Sequence, residues 1–307
     1  MKCSIALTTY NGITYIEELL DSIVSQTLQP DEIVIVDDCS SDNTLDFVKA
    51  YSHNHPEIVW HIQRNDVNLG WKKNFRKAIN LCTNEVIFLA DQDDIWYPFK
   101  MQEMSNIIMS NDDIGVLVGN YEPKYESDTV DRVRRKKKPA NDGSVVKINF
   151  EEHIIQNIRP GCVYCFKKSF YEQSLKAFDN SKFPHDEMLF SAAILNDALY
   201  LYNRVIMQYR RHGHNTYSNG GVTCAHLISE LSERIELADW MLDKFPTEVL
   251  SANRRTLLIK YKDIQKKRID NINARNFKGM VITMLKNRRF YSGLREKILD
   301  LYVCLLR

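Results

Sequence analysis

Apolar and polar positions along the chain switch between two periods. Residues 3 to 9 (Cys-Ser-Ile-Ala-Leu-Thr-Thr) form a short apolar run ending in hydroxyls, followed by the turn signal Tyr10-Asn11-Gly12; this predicts a strand and then a loop. From Thr14 the apolar positions Ile16, Leu19, Leu20, Ile23 and Val24 recur at helical spacing and stop before Gln29-Pro30. Glu32-Ile33-Val34-Ile35-Val36 predicts a second strand running into Asp37-Asp38. Ser40-Ser41-Asp42-Asn43 offers N-caps for a helix from Thr44, and Ile58 to Ile62 reads as a third strand. Asn68-Leu69-Gly70 breaks the chain, Trp71 to Leu81 is helical, and Glu85 to Ala90 is an apolar strand ending at Asp91-Gln92-Asp93-Asp94. Such alternation predicts an α/β fold with a mostly parallel, doubly wound sheet. Ligands of these sheets bind beyond the carboxyl ends of the strands, where Thr8-Thr9, Asp37-Asp38 and Asp91 to Asp94 all lie.

Further on, Ile114 to Asn120 is a strand, and Tyr121 to Gly143 reads as an exposed polar insertion holding Arg132 and the run Arg134-Arg135-Lys136-Lys137-Lys138-Pro139. Phe150 to Asn157, Ser169 to Phe178 and Glu187 to Leu195 are helical; Gly161 to Phe166, Leu199 to Tyr202 and Val205 to Tyr209 are strand-like. From Thr223 the helical period dominates, with Leu227, Leu231, Ile235, Leu237 and Trp240-Met241 forming one block. The chain is expected to divide into an α/β domain over residues 1–222 and a helical, basic C-terminal appendage over 223–307.

Composition narrows the class. A hydrophobic fraction of 44% with 26% charged residues fits a globular protein with a full core and argues against disorder. The N-terminus reads straight into a strand without a signal-peptide pattern, and no apolar run of about 18 residues exists, so a cytoplasmic location is expected. Seven scattered cysteines do not form a disulfide framework. Cys162-Val163-Tyr164-Cys165 has CxxC spacing, but no second pair follows and its neighbours favour a strand.

Charge changes the picture of the tail. Residues 254–307 carry 15 Lys and Arg against 4 Asp and Glu, within a chain of net charge +1. Beyond residue 275 these charges alternate with apolar positions, the pattern of an amphipathic helix interrupted at Gly279 and Gly293. That helix suits an anionic membrane surface at the inner face of the cell membrane, or else a cap on the α/β domain or an oligomer contact. The run from Arg134 reads as a solvated surface, its alternative being contact with an anionic acceptor or membrane. No nucleic-acid partner is expected.

Asp91 and Asp93, one residue apart at a strand end, are spaced to aim two carboxylates at one hard cation while phosphate oxygens complete its shell. A bare triplet of this kind is weak, since Asp is common in turns; the apolar strand before it and the polar Gln92 and Asp94 strengthen it. Taken with Thr8-Thr9-Tyr10-Asn11, Gln26-Thr27, Ile35 to Thr44, Asn68-Leu69-Gly70, Asn74-Phe75, Ile95-Trp96 and His185-Asp186-Glu187, the turn resembles that of the family 2 glycosyltransferases over about the first 220 residues. The resemblance implies a GT-A-like fold.

By position, the resemblance implies that Thr8, Tyr10 and Asp38 contact base and ribose of a UDP-sugar or dTDP-sugar, with Asp38 accepting from the uracil or thymine N3–H. Either Asp37 or Asp38 also suits capping of the next helix. Asp93 becomes the ligand of Mg or Mn, helped by Asp91, which also meets the donor; Asp94 caps the segment before Trp96 and Pro98. Displacement at an anomeric carbon needs the leaving diphosphate neutralised and the attacking hydroxyl deprotonated. The resemblance assigns the second task to Asp186, with Glu187 as the alternative base, and N-capping of the following helix as a compatible role.

Tyr209 to Thr216 resembles the late loop that closes over the diphosphate, with His212 as its donor contact, a cationic Arg beside it and Gly220-Gly221 as a hinge. Arg159-Pro160-Gly161-Cys162 is implied at the acceptor approach. Trp71 and Trp96 suit either a sugar ring or the core.

The function so implied is inverting hexosyl or deoxyhexosyl transfer to a hydroxyl of a saccharide or lipid-linked saccharide acceptor in bacterial surface polysaccharide synthesis. Two alternatives stand. A nucleotidyltransferase also uses strand-end acids, but no Gly-rich phosphate loop bearing Arg or Lys follows the first strand. A non-catalytic subunit of a polysaccharide assembly complex would keep the fold, against which the intact Asp38, Asp93 and Asp186 argue.

Overall fold

Strands β1 (Cys3–Thr9), β2 (Glu32–Asp37), β3 (Val59–Arg64) and β4 (Val86–Asp91) lie in the order β3-β2-β1-β4, all parallel. Every residue of β1 and β2 is buried, as is β4 up to Ala90, which is why these strands read as unbroken apolar runs rather than alternating ones. At the edge, β3 is polar and largely exposed. Helices α1 (Ile16–Val24), α2 (Thr44–His53) and α3 (Trp71–Leu81) make the crossovers. The register sets Thr8 opposite Val36 on one side and Asp91 on the other, and Thr9 opposite Asp37, so three strands finish level at one rim. This computed structural model describes residues 2–126, 138–154, 159–176, 182–213, 223–291 and 293–305.

Beyond β4 the sheet becomes mixed. After β5 (Ile95–Trp96) and α4 (Lys100–Met109) come β6 (Val116–Tyr125) and β7 (Val145–Lys147), then α5 (Phe150–His153), β8 (Tyr164–Lys167), α6 (Lys168–Ser174), α7 (His185–Leu195) and β9 (Leu199–Arg211). Their order continues β4-β8-β6-β9-β5, with β7 also on β9; of the added pairs only β6 with β9 is parallel.

Three local expectations change. Residues 121 to 125, expected as insertion, extend β6, because Lys124 and Tyr125 pair with Arg210 and Arg211. The two late strands are one, β9: polar Asn203 and Arg204 do not break it, since Asn203 N donates to Ser144 O (2.8 Å) and Val205 N to Asn141 Oδ1 (2.9 Å). Gly161–Val163 is a 3-10 turn, with the strand starting at Tyr164.

Two compact units result. One comprises residues 1–148 and 157–216, the other 149–156 and 217–307. The second contains α5 with α8 (Cys224–Lys244), α9 (Ala252–Asn273), α10 (Phe277–Lys286) and α11 (Leu294–Leu305). Leu227, Leu231, Ile272, Met280, Val303 and Cys304 form its apolar core. A fully buried Arg268 grips Asp300 with Nε and Nη2 (2.7 and 2.8 Å) and reaches Glu296 and Gln265 with Nη1. Gly279 does not interrupt a helix: the break falls at Arg275, in the left-handed region (φ 50°), and Asn276 caps α10 by accepting from Gly279 N at 2.8 Å. Among the described residues no helix is long and apolar enough to cross a membrane. Arg132, Arg134 to Lys137, His214 to Thr216 and Gly220-Gly221, singled out in the sequence, lie outside the described residues.

Candidate active site

The first loop is sewn to its neighbours by backbone-directed side chains. Asn11 N donates to Ser40 Oγ (2.9 Å), Gly12 N to Thr44 Oγ1 (2.8 Å), and Asn11 Oδ1 accepts from Ser41 N (2.8 Å). Gln92 pairs with the backbone of Tyr10 in both directions, Oε1 accepting from Tyr10 N and Nε2 donating to Tyr10 O (2.9 and 3.0 Å). Tyr10 projects half-exposed from this loop and Thr8 lies in the last part of the buried strand behind it. Gln92 thus ties the nucleotide-side loop to the acidic turn, a role its polarity in the sequence did not specify.

Asp37 and Asp38 divide the labour that two adjacent acids suggested. Asp37 braces the turn after β2, its carboxylate accepting from Ser40 N (2.9 Å), Ser40 Oγ (2.5 Å) and Thr9 Oγ1 (2.9 Å); α2 begins only at Thr44, so neither acid caps it, and Thr44 N donates to Asp42 instead. Asp38 accepts from Asn65 Nδ2 (2.7 Å), Leu69 N (2.8 Å) and Gly70 N (2.9 Å). Asn74 supports this by bridging Val36 O and Asn65 (2.8 Å each), and Gly70 adopts φ +78° to turn its N–H inward. Three donors fix the Asp38 carboxylate and leave capacity for one more.

The acidic turn is crowded. Asp91 is pushed up to about 7, first by burial and then by the charge of Asp93, with Asp186 adding to the rise. Asp94 is fully buried and raised well above the carboxylate range by burial, Asp93 and Asp91. Its Oδ1 accepts from Arg210 N (3.1 Å), while its Oδ2 has no hydrogen-bond partner among the described residues. Ligand atoms of Asp91, Asp94 and Cys162 lie within 4.8 Å of one another. Carboxylates that raise each other's pKa around an orphaned oxygen are the donor set a hard divalent cation relieves. Burial drives the Cys162 thiol strongly upward, with the charges of Asp94 and Asp91 adding to the rise. Cys165 is no part of this group.

Behind the turn, Lys100 is fully buried, its Nζ 2.8 Å from Cys162 O and 3.4 Å from the Trp96 ring centroid. Burial pulls its pKa down to about 7 against the opposing charge of Asp94 and Asp91. Trp96 is therefore a core residue under Lys100. Gln26-Thr27 serves the same turn: Gln26 Oε1 accepts from Met101 N (3.0 Å) in the first turn of α4, and Thr27 N donates to Pro98 O (2.9 Å).

From the other side β9 closes in. His212 Nε2 lies 2.8 Å from Asp93 Oδ2, its ring stacked on Tyr15 at 4.7 Å. Of the two arginines before His212, Arg210 is buried. It bonds Asp93 O through Nε (2.6 Å), Glu18 through Nη2 (2.6 Å) and Glu126 through Nη1.

Asp186 lies half-buried in the first turn of α7, its Oδ1 accepting from Glu187 N at 3.0 Å. It is not the N-cap, because α7 begins one residue earlier behind Pro184. His185 is buried against Phe75 (4.0 Å) and edge-on to Trp71 (6.1 Å). Gly161 lets this corner close: a Cβ there would lie 2.8 Å from His185 Nε2 and 3.3 Å from Asp186 Cβ. In the same approach segment, Arg159 holds Asn120 Oδ1 (2.7 Å from Nη2). Lys100, Glu18, Glu126 and Tyr15 were not identified from sequence. The one available signal was Lys100, on the apolar stripe of Met101, Met104 and Ile108.

The profile of glycosyl transferase family 2 matches residues 4–179. The dTDP-rhamnosyl transferase RfbG of Shigella flexneri is 31% identical over 219 residues, covering 68% of this chain and 72% of the relative. Among solved structures, Staphylococcus aureus TarS residues 1–349 in complex with UDP-GlcNAc superposes with a TM-score of 0.65 at 20% identity, over 99% of this chain and 90% of that one. The mannosyltransferase PcManGT of Pyrobaculum calidifontis, in complex with GDP-Man and Mn2+, gives 0.58 at 15% identity over 98% and 84%. These structural likenesses bear on the fold, which is α/β and GT-A-like.

Proposed function

The chain belongs to glycosyl transferase family 2, and on that premise we propose that it moves a hexosyl or deoxyhexosyl unit from a uridine or deoxythymidine diphosphate sugar to a saccharide or lipid-linked saccharide hydroxyl, with inversion. Its place is the synthesis of a bacterial surface polysaccharide, in the cytoplasm at the inner face of the cell membrane, which the basic helical unit meets. The observation that carries the reading is the level finish of β1, β2 and β4. It sets Thr8, Tyr10 and Asp38 beside the Asp91 to Asp94 turn, with Asp186 near enough for its charge to raise Asp91.

In this reading Thr8 and Tyr10 hold the nucleoside and the remaining acceptor capacity of Asp38 takes the base N3–H. Asp91 and Asp93 hold Mg or Mn, consistent with the crowded carboxylates and with Mn2+ in the mannosyltransferase neighbour. When bound, the cation supplies positive charge against the departing diphosphate. His212, steadied by Tyr15, meets the donor at the same end. Asp186 stands in the first turn of α7, where the helix dipole favours a carboxylate. It takes the proton of the acceptor hydroxyl as that oxygen bonds to the anomeric carbon, while the carbon–oxygen bond to the diphosphate breaks and its electron pair leaves with the nucleotide.

The test is turnover with nucleotide sugars and Mn2+, reading the phosphorus product. Free nucleoside diphosphate is expected; pyrophosphate would point to nucleotidyl transfer. Asp186→Asn is expected to abolish transfer while sparing donor binding by thermal shift, and undiminished turnover would remove Asp186 as the base.

A further inference from the structure

In the helical unit, α10 and α11 each bury one face in the core shared by Met280, Val303 and Cys304. Their outward faces are not polar, as a water-facing helix requires. Leu294, Ile298, Tyr302 and Leu305 follow one another at helical spacing along α11, and Ile282 and Leu285 stand together on α10; each is more than half exposed. Single exposed apolar residues need no explanation. Two aligned stripes on adjoining helices do.

The charges around them have one sign. Between residues 275 and 305 there are seven Lys and Arg and two acids. Both acids turn inward: Asp300 is fully buried on Arg268, and Glu296 is held by Arg268 (2.8 Å) and Arg234 (2.6 Å). The exposed charges, Arg275, Lys278, Lys286, Arg288, Arg289 and Arg295, are all cationic. Folding thus sorts a mixed segment into an outer face that is apolar and basic only.

We propose that this α10–α11 face docks on an anionic lipid surface, its leucine, isoleucine and tyrosine side chains entering the headgroup boundary while the flanking cations meet acidic headgroups. A second copy of the chain would bring like charges together on the same face, which favours lipid as the occupant. The inference deepens the membrane-side placement within the proposed function by naming the surface, and it does not depend on the sugar chemistry.

The full chain should co-sediment with phosphatidylcholine vesicles containing one quarter phosphatidylglycerol, bind pure phosphatidylcholine far less, and detach as salt rises. Ile298→Ser with Leu294→Ser should weaken partition at least tenfold, and each of Lys286→Gln, Arg288→Gln and Arg295→Gln by roughly fivefold. Circular dichroism should stay unchanged, since these side chains are exposed. No binding to anionic vesicles, equal binding to neutral ones, or indifference to both sets of substitutions overturns the proposal. So does a concentration-dependent dimer that the serine variant dissolves while vesicle binding persists. Transfer to a water-soluble acceptor, measured in parallel without vesicles, reports on the catalytic reading separately.

Discussion

His212 Nε2 stands 2.8 Å from Asp93 Oδ2, joining the end of β9 to the acidic turn after β4. Arg210 of β9 makes the same junction, donating from its amide to Asp94 and from its side-chain Nε to the Asp93 carbonyl. On its other side the turn is pinned to Tyr10 by Gln92. A carboxylate set held from two directions is already arranged for its ligand, which spares the ordering cost that a loose turn would incur on binding.

Asp93→Asn should therefore act on cation affinity before anything else. Loss of the charge is expected to lower turnover by at least about a hundredfold at saturating donor and to raise the Mn2+ concentration for half activity. His212→Ala, which leaves Asp93 charged but without its imidazole partner, should cost roughly 10- to 100-fold in Mn2+ affinity. Mn2+ titrations followed by activity and by electron paramagnetic resonance check both. Full turnover of Asp93→Asn at the wild-type Mn2+ requirement would contradict the assignment.

Arg210→Met tests the ion-pair hub. Its guanidinium is buried with Glu18 and Glu126, whose carboxylates are partly solvated, and Glu18 also keeps Lys124 at 2.9 Å, so removal leaves acids that water or a second cation still reaches. The expected loss is about 2 kcal/mol, below the range for a fully enclosed pair. Arg210→Lys should not rescue it, because a compact ammonium lacks the planar fork that spans both carboxylates and the Asp93 carbonyl. Urea midpoints of the three proteins decide.

The half of the sheet from β1 to β4 was legible because strands buried on both faces must be apolar throughout, and helices between them declare themselves by spacing and stops. Where polar residues occupy a strand, the sequence misled. Asn203 and Arg204 look like a break, yet Asn203 N donates to Ser144 O and Val205 N to Asn141 Oδ1, residues far off in sequence. The acids at the rim were legible as a group, but not their division. Asp37 as a brace of its own turn and Asp38 as held acceptor differ only in which donors surround them. Buried cations are the least legible feature, since Lys100 and Arg210 are tolerated inside only by partners that the fold gathers from elsewhere.

Gly161→Ala should disturb Asp186 without touching it chemically. The added methyl would stand 2.8 Å from the His185 ring, which Phe75 backs at 4.0 Å and which cannot swing away as a flexible chain end would. Overpacking of this kind costs on the order of 1–3 kcal/mol. The start of α7 must shift, so turnover should fall at least tenfold while donor binding, on the opposite side of the rim, changes less. Steady-state kinetics beside thermal shift with donor separate the two; equal losses in both would mean general unfolding.

His185 makes stability depend on pH. Burial, with the charge of Arg76 adding, pulls it from the usual 6.5 down to about 3, and neither ring nitrogen has a hydrogen-bond partner among the described residues. The folded protein therefore keeps it neutral, whereas the unfolded chain takes up a proton as pH falls below 6.5. Stability contributed by the neutral ring is whole above that value and is lost progressively down to about 3, at no more than about 1.4 kcal/mol per pH unit. Between pH 7 and pH 5 the loss from this residue should reach roughly 2 kcal/mol. His185→Gln, whatever its absolute stability, should show a shallower fall of the urea midpoint over that interval. A slope equal to that of the parent would mean that the ring is protonated in the folded state and that the corner formed with Phe75 and Gly161 opens to water.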